Sequence, residues 1–147
     1  MKFHIGTILS ITNGRLLAKN HMDDIYAILN FMTNEDLFTH SLIQASKDCK
    51  PYLLEMNPIL NDASDFVNSY FDNLDGKFDD EKFQTLLTQL ENNFGYEFEV
   101  MPIHNEDRTK FDSIEDELKF LGFKGEIIKF EIPNEEPPIS DIGDINW

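Results

Sequence analysis

Four side chains in the first fifty residues have the types from which a reactive or ligand-binding site is made: His4, Arg15, His40 and Cys49. A thiol and an imidazole form a nucleophilic pair wherever a fold brings them close, whatever their separation in sequence. An arginine among imidazoles can hold an anionic ligand in an apolar cleft that has only a few convergent polar groups. These four are therefore the candidate pocket for a small metabolite or nucleotide. Cys49 also continues the helical spacing of Phe38, Leu42 and Ala45, where a free cysteine behaves as a small hydrophobe. No catalytic residue is assigned.

Metal and phosphate chemistry find less support. His4, His21, His40 and His104 have no i, i+3 or i, i+4 pairing, and Cys49 is the single cysteine, so no helical zinc motif is formed. Around Gly76, Asn73, Asp75 and Asp79 fall at positions 3, 5 and 9 of a calcium loop, but Phe71 and Lys82 stand where the two anchoring ligands belong. The stretch reads as a turn between helices. Gly6 has no companion glycines at phosphate-loop spacing. No cofactor or metal is expected.

The strongest compositional signal is charge. The chain has 147 residues with 28 acidic and 12 basic side chains, a net charge of −16. Residues 1–60 carry five Lys/Arg against six Asp/Glu, and residues 61–147 carry seven against twenty-two. Such a field disfavours nucleic acid and anionic membranes and attracts basic protein surfaces. The candidate partner-binding residues are Asp72, Asp75, Asp79, Asp80 and Glu81, with Glu135 and Glu136 assisting. With no signal-peptide pattern, no apolar run near the ~20 residues of a membrane span and no cysteine pair, the expected compartment is the cytoplasm.

The elements that must position these groups follow from pattern. Phe3 to Thr12 is apolar on both faces and reads as a covered strand, turned at Asn13-Gly14 and returning through Arg15 to Ala18. Helices are expected after Asn20 and Thr39, from Pro51 to Met56, from Asp62 or Ser64, and from Asp79/Asp80 to a stop at Gly95. Tyr96 to Met101 and Gly125 to Ile132 alternate as strands, with a short helix between them. The expected fold is α+β: a small antiparallel sheet, made of the N-terminal hairpin and the strands near 96–101 and 125–132, against four to five helices. Residues 1–132 form one domain in this reading, a core module at 1–100 with an addition at 103–132. Residues 133–147 make an acidic, flexible tail.

The motifs F-H-I-G-T-I-L-S-I-T-N-G-R-L (Phe3–Leu16), I-Y-A-I-L-N-F-M-T (Ile25–Thr33), L-F-T-H-S-L (Leu37–Leu42) and C-K-P-Y-L-L (Cys49–Leu54) resemble a family of small proteins encoded in tailed-phage genomes. The resemblance covers residues 3–60 and implies an accessory protein made in a bacterial cytoplasm, without supplying site residues. It suggests a non-enzymatic protein that binds and modulates or inhibits a host protein, a defence component among the candidates, through an acidic surface resembling nucleic acid. Enzymatic activity is left undecided, on the side of none. The alternatives are a ligand pocket in the N-terminal module and a virion-associated role in which Ile139, Ile142, Ile145 and Trp147 dock on a neighbouring subunit.

Overall fold

The computed structural model describes residues 1–109. In order they form β1 (Lys2–His4), α1 (Ile5–Asn13), α2 (Met22–Thr33), α3 (Leu42–Met56), α4 (Ile59–Asp72), α5 (Asp80–Phe94) and β2 (Glu97–Glu99), with single 3-10 turns at Thr39–Ser41 and Asn105–Asp107. The architecture is mainly helical with a small two-stranded antiparallel sheet. The expected helix and strand within 110–132, and the tail with Glu135 and Glu136, lie outside the described residues.

The largest correction concerns the N-terminus. Phe3 to Thr12 is not a covered strand. The strand ends at His4, and the chain turns directly into α1. A run that is apolar on every side suits a buried helix as well as a buried strand, and Ile5, Ile8, Leu9 and Thr12 also satisfy helical spacing. Alone, nine residues rich in β-branched side chains would not hold a helix. Here eight of them, Ile5 through Thr12, are buried, because α1 packs against α2, α3, α4 and α5. Burying each large aliphatic side chain is worth about 1.5–3 kcal/mol. Asn13-Gly14 is accordingly no hairpin turn: Gly14, at φ 89, is the left-handed C-cap of α1, and no return strand follows.

The sheet is closed by distant segments. β1 pairs with β2 in the register Lys2↔Glu99, Phe3↔Phe98 and His4↔Glu97. Ile5 N–H donates to Tyr96 O at 2.9 Å and Val100 N–H to Met1 O at 2.8 Å, extending the ladder at both ends. The expected strand at 96–101 is thus present in shorter form.

Gly6 sets how closely α1 can approach its surroundings. A Cβ there would collide with the backbone carbonyl of Leu17 and meet the Leu87 side chain at 3.1 Å. Next to it Ser10 Oγ donates to Gly6 O and accepts from Leu17 N–H, both at 2.8 Å, so the chain after α1 is stitched back against the helix.

The other elements are closer to expectation. Asp79 caps α5 by accepting from Lys82 N–H at 2.9 Å, and α5 stops at Gly95. Pro51 does not restart a helix. It lies within the continuous α3, on an exposed position, where it removes one backbone donor from the helix. α4 begins at Ile59 after Pro58 rather than at Asp62 or Ser64. In α2 the cap is reversed from the expected one: the Asp24 carboxylate reaches back to accept from Asn20 N–H at 3.0 Å, and the N-cap residue is His21, at φ 53.

Gly6→Ala is expected to cost about 3 kcal/mol, the upper end of overpacking effects, because backbone rather than a side-chain tip is in the way. Gly14→Ala, strained in φ but with open space around it, costs about 1 kcal/mol. Urea unfolding midpoints check the order, and equal losses would contradict the close approach.

Candidate interaction site

The four pocket candidates make separate sets of contacts. His4 caps α1: its Nδ1 accepts from Gly6 N–H at 3.0 Å, while Nε2 lies 2.6 Å from Glu91 Oε2. Lys19 completes this group, 3.5 Å from Glu91 and donating to Tyr96 OH at 3.0 Å. The Tyr96 ring stands edge-on to His4 at 4.8 Å between centroids. A histidine acting as a base beside a carboxylate keeps its far nitrogen for the substrate. Here that nitrogen holds the helix cap, so the arrangement is structural. Burial lowers the His4 pKa below its ordinary 6.5, Lys19 lowers it further, and the bond to Glu91 opposes both.

Arg15 ties α4 to the end of α1. Its Nη1 donates to Asn13 Oδ1 at 2.9 Å and Asn68 Oδ1 at 2.7 Å, and its guanidinium lies 4.8 Å from the centroid of the Phe71 ring. His40 stacks on the exposed Phe38 at 5.7 Å. Cys49 is fully buried in α3, and burial pushes its thiol up to about 12, far from the range of a nucleophilic cysteine.

Two features were not legible at the level of motif. One is the seat of Arg108. This side chain, only 5% exposed, places Nη1 2.6 Å from Asp48 Oδ2 and Nε 3.1 Å from Glu35 Oε2. Asp48 also accepts from Thr109 N–H at 2.9 Å, Thr109 Oγ1 at 2.9 Å and Gln44 Nε2 at 3.0 Å. Burial would raise the Asp48 pKa, but these donors outweigh it and hold the carboxyl below its ordinary value.

The other is a cleft of about 460 Å³ between α4 and α5, lined by Phe66, Ser69, Tyr70, Asn73, Leu74, Asp75 and Lys82. Tyr70, Phe71, Phe78 and Phe83 pack edge-to-face or tilted beside it, with centroids 4.8–6.0 Å apart. Lys82 Nζ donates to the Asp75 carbonyl at 2.9 Å, so an ammonium group lies within the turn that was compared with a calcium loop. Burial raises the Tyr70 pKa, and the charge of Asp79 adds to it.

The structure brings five of the acidic candidates to this cleft's end of the molecule. Asp72 ends α4, Asp75 lies in the connecting turn, Asp79 caps α5, and Asp80 and Glu81 fill its first turn. All five are exposed. From Asp62 to Lys82 the chain carries seven acidic residues against two lysines. Of the five candidates, Asp75 lines the largely apolar recess, as does Lys82, and the other four flank the turn that joins α4 to α5.

Over residues 3–63 the chain is similar to the family described as "Domain of unknown function (DUF7736)". No curated protein and no solved structure matches the chain. Among the described residues no helix is long and apolar enough to cross a membrane, and no group of three or more His, Cys, Asp or Glu residues could hold a metal ion.

Two measurements check this geometry. Because the folded His4 pKa lies below 6.5, the unfolded chain takes up the proton first. The stability this site contributes is complete above pH 6.5 and declines as the pH falls through that value. His4→Asn keeps an acceptor for Gly6 N–H and should show a shallower loss between pH 7 and 5; identical slopes would contradict the assignment. The Cys49 thiol should resist iodoacetamide at pH 8 in the native protein and react fully in denaturant, and fast native labelling would contradict its burial.

Proposed function

We propose that the chain acts by binding rather than catalysis, with the acid-rimmed end of α4 and α5 seated on a basic surface of a partner protein. The observation that carries this reading is the gathering of Asp72, Asp75, Asp79, Asp80 and Glu81 on exposed positions at the turn joining α4 to α5, beside a recess that Phe66, Tyr70, Leu74 and Asp75 line. Acids steer the encounter with a cationic surface, while an apolar recess supplies contact area that charge alone does not. The resemblance of residues 3–60 to phage-encoded proteins supports a host protein as the partner. In this reading the chain modulates or inhibits that protein by occupying a surface suited to an anionic ligand, and it works in the bacterial cytoplasm.

The test is retention of host proteins by the immobilised chain. Retention should fall roughly tenfold between ~50 and ~300 mM salt, as screening removes the attraction between exposed charges. The variant carrying Asp72→Asn, Asp75→Asn, Asp79→Asn, Asp80→Asn and Glu81→Gln should lose retention yet still fold, since asparagine at position 79 can cap α5. Retention that ignores salt, or that the neutralised variant keeps, would overturn the proposal.

A further inference from the structure

We propose that Glu35, Gln44 and Asp48 form a guanidinium receptor built into the N-terminal domain, occupied in this chain by its own Arg108-Thr109. All three receptor residues fall within the stretch 3–63 that matches the family, whereas the arginine arrives from far outside it. The carboxylate of Asp48 is only 7% exposed, and a buried carboxylate needs a cation and donors around it. Besides Gln44, the donors to Asp48 are Arg108 and Thr109, with three hydrogen bonds from that dipeptide at 2.6–2.9 Å. The chain reaches the seat through the 3-10 turn Asn105–Asp107, whose C-cap is Arg108, itself extended at φ −85 and ψ 122. One carboxylate thus reads a guanidinium, a backbone N–H and a hydroxyl together, which is the recognition of a short peptide rather than of a lone charge.

The fit of the resident dipeptide is incomplete. Gln44 Oε1 is buried without a hydrogen-bond partner, and Arg108 Nε meets Glu35 as an ion pair at 3.1 Å without hydrogen-bond alignment. Gln44 is 7% exposed, and its amide already gives Nε2 to Asp48 and Thr109. Its oxygen is therefore an acceptor, inside the seat, that the chain's own ligand does not use. Thr12 Oγ1 and Ser46 Oγ are likewise buried without a partner, but Gln44 Oε1 is the one that belongs to a side chain bonded to both Asp48 and Thr109, so it is the acceptor a different occupant of the seat could use. The ligand class is an arginine followed by a small hydroxyl residue, presented at the end of a tight turn as Arg108 is.

Chemical rescue tests this on the full chain. Arg108→Ala should lower Tm, because Asp48 loses its cation. Guanidinium chloride at 5–20 mM, well below denaturing levels, should raise the Tm of that variant by several degrees over equal sodium chloride. Ammonium chloride should not, and the wild-type Tm should not rise. A capped peptide with the sequence of residues 103–109 should bind Arg108→Ala, the same peptide with alanine for arginine should not, and the wild-type chain should bind neither. If Arg108→Ala does not fold, Arg108→Lys, which keeps the charge but loses the planar fork, is subjected to the same salts and peptides. A Tm that guanidinium leaves unchanged, equal elevation of variant and wild type, or peptide binding that is indifferent to the arginine would each overturn the receptor.

Discussion

The Leu17 carbonyl occupies the space that a side chain on residue 6 would need, and the described structure is arranged around that contact. With glycine there, α1 lies close enough to its surroundings for Ser10 to bridge the Gly6 carbonyl and the Leu17 amide. Those bonds satisfy polar groups in a place that water does not reach. α1 then serves as the axis for α2, α3, α4 and α5. Its entry is fixed by His4, whose two ring nitrogens join the cap of α1 to α5. The strand preceding α1 reaches β2 from the other end of the described chain.

This axis explains how the two sites are carried. α4 and α5 both pack on α1 and on each other, so the recess between them and the exposed acids at their joining turn sit on helices held from behind. Arg15 adds to this by fastening α4 through Asn68 and Phe71. The Arg108 seat belongs to a different layer, where α3 presents Gln44 and Asp48 and the residues after α2 present Glu35. The segment leading to Arg108 is guided there by Ile103 N–H, which donates to Met32 O at 3.0 Å.

What the sequence disclosed depended on how local each feature was. α5 was legible from Asp79 at its start, an apolar stripe through Leu86, Leu87 and Leu90, and Gly95 at its end. α1 was not, because Phe3, Ile5, Leu9 and Ile11 also fit the alternation of a strand, the small helical face of Gly6, Thr7 and Ser10 is weakly polar, and Asn13-Gly14 serves a hairpin and a helix end equally well. The pairing of Lys2–His4 with Glu97–Glu99 joins segments more than ninety residues apart, which no local pattern encodes. The acids of the α4–α5 end were legible because a connecting turn and a helix start are contiguous in sequence. The recess beside them was hidden, since Phe66, Tyr70 and Leu74 have the spacing of a helix's inward face. The Arg108–Asp48 contact was hidden for the same reason as the sheet.

The claim that this end of α4 and α5 is the binding face is tested most directly by mapping contact with a photo-crosslinking amino acid. Placed at Asn73, on the wall of the recess, it should form an adduct with a host protein that disappears at high salt. Placed at Ala27, exposed on α2, it should form none. Adducts of equal yield at both positions, or at Ala27 alone, would contradict the account.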